Sequence, residues 1–205
     1  MVKVKICGIT NLEDAKTAAG AGCDAIGFVF SEKSPRYITP TEAKLIAGRL
    51  PKKTMKVGVF VNARETTVRR IMKECRLDIL QFHGNESPEF CGRFKGVKVV
   101  KAFRIKGPSD TARVSDYDTF GYLFDSFSPA AQGGTGKIFD WSLAAASTGT
   151  GKVFFLSGGL DAGNVRQAIA KLKPQWVDVS SGVENAPGKK DPARIREFMR
   201  AVDRG

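Results

Sequence analysis

The chain has 205 residues, 42% hydrophobic and 26% charged, with a formal net charge of +12 at pH 7. That is enough for one sizeable core and near the lower limit for eight βα units. No apolar run approaches the roughly 18–20 residues of a membrane span, and the alternating start MVKVKICGIT argues against a signal peptide, so a cytoplasmic protein is expected.

Strand patterns alternate with helix patterns from start to finish. A strand at 3–7 precedes a helix at 11–21, where Asn11 suits the N-cap and Glu13 and Asp14 the first turn. A strand at 25–30 leads through SEKSPRY to a helix at 39–50, with Pro40 at a first helical position. Strands at 55–61 and 79–83 precede helices at 64–76 and 88–94, and a strand at 97–103 precedes a poor helical pattern at 109–116. Then follow 122–125 with 141–147, 153–156 with 164–172, and 176–180 with 193–202. Such units, each of about 25 residues and joined without linkers, predict one (β/α)8 TIM-barrel domain over 1–205, α/β in class. All eight strands would be parallel and the fifth helix weak or irregular. A doubly wound open sheet would fit fewer units more comfortably.

Cys7, Cys23, Cys75 and Cys91 form no C-x-x-C pair, and His83 is the one histidine, which excludes a multi-histidine metal site and speaks against zinc or a disulfide framework. Lys and Arg are scattered rather than gathered in an aromatic-laced block, so they read as solvated helix faces and no nucleic-acid partner is expected. A positive field would raise the encounter rate with an anionic metabolite.

Two strand–glycine–helix units lie near the C-terminus: VFFLSGGLDAGN, with Ser157, Gly158 and Gly159, and WVDVSSGVENAPGKK, with Ser181 and Gly182. Loops after strands seven and eight, with their backbone N–H groups, are where this fold commonly builds a phosphate site. Period-two alternation then selects what faces the barrel interior: Cys7 with Lys3 and Lys5, Gln81 and His83, Asp125, and Asp178 with Ser180. The polar members sit at the C-terminal ends of their strands, where active sites of this fold lie. A thiol and a carboxyl there suit paired base and acid work: Cys7 as base if nearby positive charge such as Lys5 lowers its pKa, and Asp125 as acid if partial burial raises its own. Taken singly, each has a plainer reading. Cys7 fits a small buried hydrophobe, Asp125 a cap before the Ser/Pro loop, Asp178 an acceptor for loop amides, His83 a wall residue and Arg36 a loop anchor.

These residues also carry a resemblance. KICGIT (5–10), GFVF with SPRYI (27–38), VGVFVN (57–62), QFHG (81–84), LFD (123–125), GGTGKIFDW (133–141), LSGGL (156–160) and VDVSSGVE (177–184) together resemble the phosphoribosylanthranilate isomerase family of tryptophan biosynthesis, nearly end to end and in order. The resemblance implies a barrel enzyme catalysing an Amadori rearrangement without metal or cofactor, on the small phosphorylated anthranilate–ribose N-(5-phosphoribosyl)anthranilate. It implies Cys7 as the base that takes the C2′ proton and Asp125 as the acid that opens the furanose ring. Arg36 would hold the anthranilate carboxylate and Asp178 lie near the ribose hydroxyls, while Gly158, Gly159, Ser181 and Gly182 would bind phosphate. The sister Amadori isomerase of histidine biosynthesis is the nearest rival, expected to use carboxylates in both positions, so the thiol argues against it. A homodimer and docking onto a neighbouring enzyme are both left open.

Overall fold

Eight parallel strands close into a barrel in chain order: β1 (Lys3–Cys7), β2 (Ala25–Val29), β3 (Met55–Phe60), β4 (Ile79–Phe82), β5 (Lys98–Ile105), β6 (Gly121–Ser126), β7 (Val153–Ser157) and β8 (Trp176–Val179), with β8 pairing back onto β1. The computed structural model describes residues 1–105, 113–126 and 151–203. The helix expected at 141–147, the first half of that at 109–116 and the segment GGTGKIFDW lie outside the described residues.

The helices are α1 (Leu12–Gly20), α2 (Pro40–Ala47), α3 (Glu65–Cys75), α4 (Pro88–Gly92), α5 (Val165–Leu172) and α6 (Pro192–Asp203). Their starts are written locally. The Asn11 side chain accepts from the Asp14 N–H, and Thr39 and Glu42 form a reciprocal capping box around Pro40. Ser87 caps α4 one residue before Pro88. After β5 the described part of the connection is a single 3₁₀ turn, Arg113–Asp116, as the poor helical pattern there predicts. Among the described residues no helix is long and apolar enough to cross a membrane.

Alternation divides the strand residues as expected. Val4, Ile6, Leu80, Phe82, Phe124, Val177 and Val179 point outward into the layer between barrel and helices. Inside, Ala25, Val57, Ile79, Val100, Ala102, Leu123, Phe155 and Trp176 fill the barrel, with Phe155 stacked on Trp176 at 5.0 Å between ring centroids. Above this apolar plug the inward positions turn polar, because a filled lower barrel supplies the stability that permits a polar rim.

One element differs from expectation. The stretch after β8, where the sequence places no element between 180 and 193, contains a 3₁₀ turn (Ser181–Val183) and a small antiparallel hairpin of β9 (Glu184–Ala186) and β10 (Lys189–Lys190). Pro187 and Gly188 form its corner: proline presets its own φ, and Gly188 takes φ +77°, the combination a type II turn requires. Strands of three and two residues are too short to show any periodicity.

Candidate active site

Register brings the predicted polar residues to one level. Lys5 lies beside Asp178, Cys7 beside Gly27, Val59 beside Gln81, and Asp125 between Arg104 and Ser157. At this end of the barrel a cavity of about 560 Å³ is lined by Cys7, Arg36, His83, Asp125, Asp178 and Ser181, among others. Gly158 and Gly159 also border it. The thiol and the carboxyl therefore face the same mouth, on β1 and β6, with β7 and β8 between them on one side of the ring.

Cys7 is 8% exposed and packs with Val29 and Val59, which form an apolar wall. Gly27 makes room for it: a Cβ there would lie 2.8 Å from the Cys7 sulfur and 3.1 Å from Lys5 Cε. Lys5, wholly buried, donates from Nζ to Asp178 Oδ1 at 2.8 Å and also lies in hydrogen-bond reach of Cys7. The expected lowering of the thiol pKa by Lys5 is present but outweighed. Burial pushes the Cys7 thiol above its ordinary value, Lys5 pulls it down, Asp178 pushes it up again, and Lys190 adds a smaller downward pull. Asp178 is held on its other oxygen by Ser157 Oγ at 3.2 Å.

Asp125 is joined to His83, whose Nε2 lies 3.2 Å from Asp125 Oδ2, while Gln81 Nε2 lies 3.1 Å from His83 Nδ1. With the Gln81 amide nitrogen as donor, Nδ1 accepts, the ring proton sits on Nε2, and Nε2–H donates to Asp125. The Asp125 side chain is 32% exposed, so its second oxygen opens to the mouth. The β4 exit that carries His83 is pinned from below. Buried Lys101 donates to the carbonyls of Phe82, Gly84 and Ala102 and to Glu86, and Glu86 accepts from the N–H groups of Asn62 and Gly84. Burial holds the Lys101 pKa below its ordinary value, with Glu86 opposing.

The glycine turns after β7 and β8 pack against each other. A Cβ on Gly182 would fall 2.0 Å from the Leu160 carbonyl oxygen, so only glycine allows the approach. Ser181 and Gly182 open a 3₁₀ turn, whose first amides have no carbonyl of the turn to donate to. Gly158 and Gly159 turn the chain with positive φ, and Asn164, at the start of α5, donates to the Gly159 carbonyl at 2.8 Å. The helix expected at 193–202 is α6, which starts at Pro192 once the chain has left the β8 turn.

Arg36 reaches the mouth from the loop after β2, but not as a free cation: Glu184 of the hairpin accepts from its Nε and Nη2. Glu184 and Lys190 were not singled out from the sequence as site residues, and Ser157 and Asn164 entered only as part of the strand–glycine–helix unit after β7. The Pro187-Gly188 pair was the available signal for the first two, since a hairpin corner there sets Glu184 opposite Lys190.

A family model described as N-(5'-phosphoribosyl)anthranilate isomerase matches residues 4–201. An N-(5'-phosphoribosyl)anthranilate isomerase from Citrifermentans bemidjiense is 53% identical over 199 residues, 97% of this chain and 96% of that protein. The crystal structure of phosphoribosyl anthranilate isomerase from Thermotoga maritima superposes with a TM-score of 0.94 at 43% identity, covering 100% of both chains. A crystal structure of phosphoribosyl anthranilate isomerase in complex with reduced 1-(o-carboxyphenylamino)-1-deoxyribulose 5-phosphate superposes with a TM-score of 0.91 at 41% identity, again over 100% of both chains.

Proposed function

The chain belongs to the N-(5'-phosphoribosyl)anthranilate isomerase family, and from that premise we propose that Cys7 and Asp125 are the base and acid of its Amadori rearrangement. The reaction converts N-(5'-phosphoribosyl)anthranilate to 1-(2-carboxyphenylamino)-1-deoxyribulose 5-phosphate in tryptophan biosynthesis. The observation that carries the assignment is that the two groups line one cavity together with the glycine turns of β7 and β8.

The two steps need opposite groups. Opening the furanose ring requires a proton on its oxygen, which Asp125 gives from the oxygen not bonded to His83; the carboxylate left behind then accepts from His83 Nε2–H. Enolisation requires removal of the C2′ proton, and Cys7 takes it as thiolate, the form that the ammonium of Lys5 favours against burial beside Val29 and Val59. The amides of Ser181 and Gly182, with the Gly158–Gly159 turn, hold the phosphate, which fixes the sugar between the two groups. Asp178 lies beside them for the ribose hydroxyls. Arg36 takes the anthranilate carboxylate. The whole of 1–205 acts as one barrel domain.

The test is a fluorescence assay of the loss of phosphoribosylanthranilate. Cys7→Ser and Asp125→Asn are each expected to lower kcat by about 100-fold or more while ligand affinity and the melting temperature persist. Near-full turnover by either variant would sink the assignment of that residue.

A further inference from the structure

Arg36 is held before any ligand arrives. Its Nε donates to Glu184 Oε1 at 2.8 Å and its Nη2 to Oε2 at 2.6 Å. Glu184 is 5% exposed, and its Oε1 also accepts from Lys190 Nζ at 2.8 Å and from the Gly188 N–H at 3.3 Å. Four donors on one buried carboxylate leave it no freedom to turn. A guanidinium is a planar fork with two edges that each match a carboxylate: Nε with Nη2, and Nη1 with Nη2. Glu184 occupies the first. The second is left, and among the described residues Nη1 has no hydrogen-bond acceptor.

The same carboxylate is tied to the turn after β8. Lys190 Nζ, buried beneath the β8 turn, donates to the Ser180 carbonyl at 3.1 Å as well as to Glu184, and Thr10 Oγ1 donates to the Gly188 carbonyl at 2.6 Å. The hairpin is thereby anchored to the loop after β1 and to the turn that begins at Ser181. An arginine side chain fixed in this way does not have to lose its rotamer freedom when a ligand binds.

We propose that Glu184 is the positioning residue for carboxylate recognition. By taking the Nε–Nη2 edge of Arg36 it presents the Nη1–Nη2 edge to the carboxylate of an ortho-carboxylated arylamine sugar phosphate, and so makes the site prefer such ligands over the same arylamine without the carboxyl group. The proposal rests on the assignment of Arg36 as the carboxylate fork.

The test compares two ligands by titration calorimetry: reduced 1-(o-carboxyphenylamino)-1-deoxyribulose 5-phosphate, and the corresponding phenylamino compound lacking the carboxyl. Glu184→Gln is expected to weaken the first about tenfold or more and the second about twofold or less, and to add nothing to the loss already caused by Arg36→Ala in the double variant. Equal weakening of both ligands, or unchanged binding of the carboxylated one, overturns the proposal. Should Glu184→Gln fail to fold, Glu184→Asp keeps the charge between Arg36 and Lys190 but shortens the arm by one methylene; it is expected to lower the preference, and an unchanged preference overturns the proposal equally. Arg36→Ala separates the two levels. If it keeps the preference, the carboxylate role of Arg36 fails and Glu184 falls with it; if it loses the preference while Glu184→Gln keeps it, only the role of Glu184 fails.

Discussion

Lys5 carries its ammonium, fully buried, 2.8 Å from Asp178 and beside the Cys7 sulfur. Burial works to lower its pKa, but Asp178 and Cys7 together hold it above the ordinary lysine value. That cation is the main force against burial on Cys7. Removing Lys5 alone would strand the Asp178 charge in the interior, at about 3–5 kcal/mol, so the informative variant is Lys5→Met with Asp178→Asn. Two opposing influences on Cys7 then disappear, and the pull of Lys5 exceeds the push of Asp178, so the thiol pKa rises further. The expected outcome is that the limb of kcat/KM that increases with pH moves to higher pH; a limb that stays in place or moves down would show that Lys5 does not set the thiolate. The inward faces of Cys7 and Asp125 were legible from period two, because one shift of register would turn a whole apolar set into the barrel. The direction of the Cys7 pKa was not, since burial depends on neighbours from other strands.

Two elements after β8 hold the site together, the 3₁₀ turn and the hairpin. In the turn, Gly182→Ala would place a methyl 2.0 Å from the Leu160 carbonyl oxygen, and backbone rather than a flexible side chain must give way. If the adjacent amides hold the phosphate as proposed, that shift removes the contact, and KM for the substrate is expected to rise about tenfold or more with a smaller change in kcat; unchanged KM would place the phosphate elsewhere. In the hairpin, burial works to raise the Glu184 pKa, but its hydrogen bonds to Arg36 and Lys190 prevail and hold it below the ordinary glutamate value. A carboxyl whose folded pKa lies below its unfolded one stabilises the fold above the unfolded value, and that stabilisation is lost as the pH falls through the folded value. The melting temperature of the native protein is therefore expected to drop more steeply on acidification below the ordinary glutamate range than that of Glu184→Gln. Parallel acid profiles would show that the pair contributes no pH-dependent stability. Neither element has a length at which hydrophobic periodicity can be read, which is why the stretch reads as a loop in the sequence despite its Pro187-Gly188 pair.

At the scale of the molecule, 33 basic residues against 21 acidic ones surround a site built for a phosphate and a carboxylate. Exposed charges act over a screening length of about 8 Å at 0.15 M salt, so they affect encounter rather than the enclosed chemistry. Raising the salt concentration is expected to lower kcat/KM while leaving kcat nearly constant. A kcat/KM independent of salt would mean that the net charge serves no steering.

The order of the eight units, their closure into a parallel barrel and the end at which Cys7, Asp125 and Asp178 meet were all determined by the sequence alone. Local capping, period-two strands and short connections each admit few alternatives, and together they admit one. Tertiary structure alone decided what those side chains touch. The pairing of Arg36 with Glu184 spans 148 residues, that of Lys5 with Asp178 spans 173, and that of His83 with Asp125 spans 42. Contacts at such separations depend on barrel closure and register, and no local pattern in the chain encodes them.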